Sequence, residues 1–459
     1  MAQVTFLPTP DGCRHRQHQP PMTLEKAMKT NRWRTATAGT LAGLTLLAAG
    51  CQSAGSGQPA AGSSPAVDDG TEITMWTRSP TATFSQTLID AYNAGHKNKV
   101  KLTVVPADSY QQKVGTAAGS KQLPDVLASD VVYAPNYAAK GVFQDLTARV
   151  DALPFKSSLA PAHIKAATFD GKVFAVPHDI DLSALFYNKA LFTKAGLDPE
   201  KPPATLGEVY TDAKKIDALP GVDGYFFGGS CPGCMLFTTW PMIWASGQTV
   251  INEAGTASTV DNPAAAQIYA LYHKMYAEHL VPAAVKNETG PTWVQAFGEG
   301  KIGIQPMGAT TLQAMKEGPD LAVGVAPIPG LTGGSSSFVG GDVLGISANS
   351  KHAAAAWDFI SWTLSDQAQV EVVAKSKNIT VRSDLAQNTY ATKDPRLATF
   401  NKLATEGQTP ISVNFGKTYN DPNGPWTATV SDAVFGNGDP AAILKQHNDA
   451  ITSSLASAG

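Results

Sequence analysis

Phe174-Ala175-Val176-Pro177-His178-Asp179-Ile180-Asp181-Leu182-Ser183-Ala184-Leu185-Phe186-Tyr187-Asn188-Lys189 sets an apolar strand-like run, a proline and two acids directly before an apolar run that ends in Tyr-Asn-Lys. The spacing predicts a strand near Val173–Val176 and a helix start at the Tyr-Asn-Lys. In an extended segment residues i and i+2 face the same side, so Asp179 and Asp181 share a face. Outward from this stretch, strand-like and helix-like segments alternate. Glu72–Trp76, Val100–Val105, Val126–Ala128 and Tyr225–Phe227 read as strands. Phe84–Asn93, Pro263–His279, Pro291–Phe297, Lys351–Leu364, Asp366–Ala374 and Asp439–Leu455 read as helices, with Pro263 and Pro440 suited to a first helical turn. The alternation predicts an α/β architecture with mainly parallel sheets.

The chain has 459 residues, 43% hydrophobic and 16% charged, enough to bury a large core and to divide into two bodies. Its formal charge is −3; without residues 1–50, which hold six basic and two acidic side chains, 29 Lys and Arg face 36 Asp and Glu, or −7. No basic stripe offsets that balance, so a nucleic-acid partner is not expected.

Lys29, Arg32 and Arg34 precede an apolar stretch from about Thr35 to Ala49. It falls short of the ~20 apolar residues of a membrane span and reads as a secretion signal, with Met28 as its start. It ends Leu47-Ala48-Ala49-Gly50-Cys51, which resembles a bacterial lipobox with Ala48 in place of the usual Leu. That resemblance makes Cys51 the acylated first residue and puts the mature chain on the outer face of the cell membrane. Residues 52–70 are Gly, Ser, Ala and Pro-rich and read as a flexible leash. The mature body keeps only Cys231 and Cys234, in Cys-Pro-Gly-Cys. A redox pair would need strand–helix context and a zinc site a second ligand pair. A structural disulfide closing a tight Pro-Gly turn is the expectation in an oxidising compartment.

Further stretches join the opening one: Ala195-Gly196-Leu197-Asp198-Pro199 with Pro202-Pro203-Ala204-Thr205, Trp240-Pro241-Met242-Ile243-Trp244-Ala245-Ser246-Gly247, Phe297-Gly298-Glu299-Gly300-Lys301-Ile302-Gly303-Ile304, Phe338-Val339-Gly340-Gly341-Asp342-Val343-Leu344-Gly345-Ile346 and Ala356-Trp357-Asp358-Phe359-Ile360. In this order the chain from about Ile73 resembles the extracellular solute-binding protein family 1, the maltose-binding-protein-like receptors of ABC importers. The resemblance implies a type II periplasmic-binding-protein fold. Two α/β lobes, 71–178 plus 329–388 and 179–328 plus 389–459, would be joined by hinge strands with ligand in the cleft. It also implies a sugar ligand, permease subunits as partners, a monomer, no cofactor, no metal and no catalysis.

Sugars need acids, amides or Arg for hydroxyls and flat rings for their C–H faces. Asp181 matches the family's acidic sugar ligand, with Asp179 beside it; Ser129 and Asp130 fall where first-lobe polar contacts are placed. Trp76 and Arg78 end the first strand, and Arg78 could fork two hydroxyls or pair at the surface. Gly340 and Gly341 would let backbone approach closely so that Asp342 reaches a ligand. Trp240, expected at a helix start before Pro241, and Trp426, in Asn420-Asp421-Pro422-Asn423-Gly424-Pro425-Trp426, are the expected ring platforms. Met307-Gly308-Ala309-Thr310 lacks the tryptophan that relatives often carry there. Clustered acids also raise a secreted glycosidase, whose acid and base must flank the scissile bond, and a polyamine receptor.

Overall fold

Two strands, Val176–Asn188 and Val339–Ile346, organise the body of the chain. The computed structural model describes residues 65–290 and 292–457, all within one compact unit, Gln58–Gly459. The proposed leader, Cys51 and residues 52–64 of the leash lie outside the described residues. Among the described residues no helix is long and apolar enough to cross a membrane.

Strand Glu72–Arg78 pairs in parallel with Lys99–Val105 on one side and Val126–Asp130 on the other. Its alternation sends Ile73, Met75 and Thr77 into the core and leaves Trp76 and Arg78 on the opposite face. Val126–Asp130 then pairs antiparallel with Val339–Ile346, and that strand pairs antiparallel with the first half of Val176–Asn188. The second half of Val176–Asn188 pairs with Ile302–Gly308 and with Val323–Ala326; Asp223–Tyr225 adds to the far edge in parallel. One strand thus leaves its first partner at Leu182 and takes up others from Ser183.

The sheet is mixed, which corrects the expectation of mainly parallel sheets: only the outer pairs run parallel, while the strands that connect the two halves run against their neighbours. The 13-residue strand also replaces the short strand expected at Val173–Val176. Twelve of its residues are buried, on both faces, so it shows no alternation to read.

Helix ends follow their sequence signals. Asn188 caps the helix Lys189–Lys194 by accepting from Ala190 N at 3.0 Å, in line with the Tyr-Asn-Lys reading. Asn262 and Asp439 cap the helices that begin at Pro263 and Pro440. Cys231 and Cys234 are disulfide-bonded, with Cα atoms 5.1 Å apart. The bond spans the first turn of the helix Pro232–Ala245 rather than a free Pro-Gly turn, since Pro232 suits a first helical position.

Candidate functional site

Three aspartates lie in a row across three adjacent strands. Asp342 stands opposite Asp130 on one side and opposite Asp179 on the other. Like charges directly opposite repel, so this row needs a cation. Arg78, at the end of the next strand, supplies it. Its Nε and Nη2 donate to Asp342 Oδ1 at 2.9 and 2.5 Å, and Nη1 lies 3.1 Å from Asp130 Oδ2. The guanidinium therefore forks between two carboxylates rather than pairing at the surface. Thr81 donates to Asp342 Oδ2 at 2.8 Å, and the Asp342 amide donates to Asp179 Oδ1 at 2.8 Å.

Burial works against the charge of Arg78, but Asp342 and Asp130 outweigh it and hold its pKa above the ordinary value. Burial raises Asp130 despite Arg78. Asp179 is pushed well above the usual carboxylate range by burial and by the Asp342 charge. Asp181, two residues on, accepts from Thr310 N at 3.0 Å, and its pKa is pushed up to about 6, chiefly by burial.

Two glycines make this crowding possible. Gly341 has φ +102°, and a Cβ there would press into the Asp179 carbonyl and stand 2.9 Å from Asp181 N. A Cβ at Gly308 would meet the Asp181 carboxylate. The register between the two long strands shifts after Asp342, leaving His178 as the extra residue of a bulge. His178 Nε2 lies 2.9 Å from the Ser85 hydroxyl, which continues through Thr77 to Thr81 and so to Asp342. His163 Nε2 lies 3.1 Å from the Asp179 carbonyl. Burial lowers both imidazoles to about 4, so both are neutral.

The expected site residues divide. Arg78, Asp130, Asp179, Asp181, Gly341 and Asp342 come together from four distant parts of the chain. Trp76 is half-buried beneath Lys113, whose Nζ is 4.4 Å from the ring centre, and Ser129 is buried with its hydroxyl on the Asp130 carbonyl. Trp240 and Trp426 have no exposed surface. Their rings pack 5.7 Å apart, with Tyr419 and Phe415 on Trp240 and Tyr269 on Trp426. Neither offers a face to a ligand in this conformation, which corrects the picture of two open platforms. Pro241 lies inside its helix, not at the start, so Trp240 is carried inward with the third turn. Arg382 serves an ion pair with Asp366 and Asp384 over the Phe155 ring.

Sequence reasoning missed Thr81, His163, His178, Thr310, Tyr133 and Asn420. Tyr133 follows Asp130 closely and receives a bond from Asn420 Nδ2 at 3.3 Å, linking the first strands to the C-terminal segment. Only the proximity of Tyr133 to Asp130 was visible beforehand. Among the described residues no group of three His, Cys, Asp or Glu is placed to hold a metal ion.

A family model described as bacterial extracellular solute-binding protein matches residues 77–370, which include every member of the Arg78 cluster. The chain belongs to that family. As a solute-binding protein it is 27% identical to the diacetylchitobiose binding protein DasA of Streptomyces coelicolor over 82% of this chain and 88% of the relative. It is 24% identical to the galactooligosaccharide-binding protein of Bacillus subtilis over the same shares. Among solved structures, the cyclic alpha-maltosyl-1,6-maltose binding protein of Arthrobacter globiformis superposes with a TM-score of 0.71 at 23% identity, over 84% of this chain and 99% of the other. The GacH receptor of Streptomyces glaucescens gives 0.74 at 24%, over 84% and 98%. At such identities the superpositions establish the fold: two-lobe, mixed α/β. Within the Arg78 cluster, Asp342 and Asp179 lie on Val339–Ile346 and Val176–Asn188, and Asp130 and Arg78 end the next two strands of the sheet.

Proposed function

We propose that this chain is an extracellular lipoprotein that captures a carbohydrate between two hinged lobes and delivers it to the permease subunits of an ABC importer. The observation that carries the reading is the Arg78 cluster, because residues from positions 78, 130, 179, 181 and 342 meet at the strands that connect the halves. A guanidinium fork and several carboxylates are the groups that hydroxyls require, since each hydroxyl both donates and accepts. The sugars named for the relatives point the same way. Lobes of 71–178 plus 329–388 and 179–328 plus 389–459 part along Val176–Asn188 and Val339–Ile346, and ligand stabilises the closed form by touching both. Cys51 carries the lipid, and the body acts as a monomer.

Binding rather than catalysis is favoured by how the acids are engaged. Asp342, Asp130 and Asp179 are tied to Arg78 or to backbone amides on neighbouring strands, not disposed as an acid and base on opposite sides of a bond. The test is thermal unfolding of the purified protein with a panel of mono- and oligosaccharides. A sugar at 100 times its Kd raises stability by about 2.7 kcal/mol. The excess of carboxylates over guanidinium favours an amine-bearing ligand as the second reading. A shift with spermidine and none with any sugar would replace the first by the second, and release of reducing ends would favour a hydrolase.

A further inference from the structure

The Cys231–Cys234 pair takes no part in the carboxylate cluster, yet its setting differs from that of a buried staple. The bond joins residues three apart, so it closes a very short loop and constrains the unfolded chain little. Both cysteines are partly exposed. Strand Asp223–Tyr225 leads toward the pair and the helix Pro232–Ala245 leaves it; the sequence signals the strand, at Tyr225–Phe227, but not the helix start at Pro232.

The two sulfurs are not equivalent. Cys231 is the cap residue of the helix, and the Cys234 amide donates to its sulfur at 3.1 Å. When the bond opens, that donor and the positive end of the helix stabilise a thiolate on Cys231. Glycines flank the sulfurs. A Cβ at Gly290 would stand 3.5 Å from Cys231 Sγ and 3.7 Å from Cys234 Sγ, and one at Gly228 would stand 3.6 Å from Cys234 Sγ. Any side chain at these positions would lie against the bond.

We propose that Cys231–Cys234 is an exchangeable redox site that accepts two electrons from an external dithiol, with Cys231 forming the mixed disulfide. A thiolate of the dithiol attacks Cys231 Sγ, and the Cys231–Cys234 bond breaks with its electron pair leaving on Cys234, which takes up a proton. The second thiol of the partner then attacks its own bonded sulfur and releases Cys231 as the thiolate. The partner ends as a disulfide and the chain as a dithiol. The site borders the link between halves: a Cβ at Gly233 would lie 3.5 Å from Asn420 Oδ1, and Asn420 donates to Tyr133.

The test uses the full chain, oxidised and folded, in dithiothreitol without denaturant, followed by acid quench, alkylation and peptide mass spectrometry. The expected result is two labels on the Cys231–Cys234 peptide while the far-ultraviolet ellipticity stays unchanged. Labelling only after urea unfolds the chain would overturn the exchange. Iodoacetamide rates at pH 7 then compare Cys234→Ser, which leaves Cys231 free, with Cys231→Ser, which leaves Cys234 free. At least tenfold faster reaction of Cys231 is expected; equal rates or the reverse order would overturn its role. If either variant fails to fold, trapping the mixed disulfide on the unsubstituted chain and locating it at Cys231 or Cys234 decides the same point.

Discussion

Replacing Arg78 with methionine removes the cation from a row of three acids and keeps the stem's volume. The Arg78 side chain is 16% exposed and that of Asp342 is 0%, so the range for breaking a buried pair applies, about 3–5 kcal/mol. A second limit comes from proton uptake. An orphaned carboxylate can be protonated instead, which at pH 7 costs about 4 kcal/mol from an ordinary pKa near 4, and at pH 5 only about 1.5 kcal/mol. The expected loss is therefore about 3–4 kcal/mol at pH 7, falling to about 1–2 kcal/mol at pH 5. The sign follows from linkage: the variant's acids have raised folded pKa values, so its deficit grows as pH rises through them and fades below the unfolded value. For a body of this size, unfolding entropy near the midpoint makes 3–4 kcal/mol about 4–5 °C. Urea unfolding and melting of both proteins at pH 5 and 7 give the comparison. A deficit under about 1 kcal/mol, or one equal at the two pH values, would refute the claim that Arg78 neutralises the row.

Gly341→Ala places a methyl group on the Asp179 carbonyl at a positive φ and should cost about 2–3 kcal/mol by urea unfolding, while Gly340→Ala, whose Cβ meets the edge of the Phe237 ring at 3.1 Å, should cost less; equal losses would remove the special role of Gly341. Asp181→Asn should stabilise the ligand-free protein by about 1–2 kcal/mol at pH 7, because the native carboxylate is penalised as pH rises from about 4 through its folded value near 6. That gain should vanish at pH 4, and a gain constant across that window would contradict it. Trp426→Ala should cost about 3–5 kcal/mol in stability. Trp426→Phe should leave the affinity for the sugar found in the melting panel within about twofold. A tenfold loss of affinity with unchanged stability would return Trp426 to the ligand.

Much of this architecture was visible in local signals. Tyr187-Asn188-Lys189, Pro263 and Pro440 mark helix starts because such signals act on the first turn alone and require no distant partner. The acids Asp179, Asp181 and Asp342 stood out because they interrupt apolar runs. What local signals do not carry is pairing. That Asp342 faces Asp130 and Asp179 at once depends on a strand order in which residue 342 lies between residues 130 and 179. The long strand was hidden because burial on both faces erases alternation, and Pro177 within it resembled a boundary. Thr310 was hidden for another reason: it binds Asp181 through its backbone amide, which any residue but proline could provide. The tryptophans misled because a polar-looking loop, Asn420 to Gly424, precedes Trp426, whereas the ring itself turns into the aromatic core.

Because Val176–Asn188 contributes its first six or seven residues to one part of the sheet and the remainder to the other, neither half owns a complete set of strands. Cutting the chain anywhere between Leu182 and Phe186 would deprive both of a central member. The body should therefore not yield to dissection into fragments that fold alone. A shared rod of this kind makes opening a flexing motion with a memory of its resting angle, not a free swing.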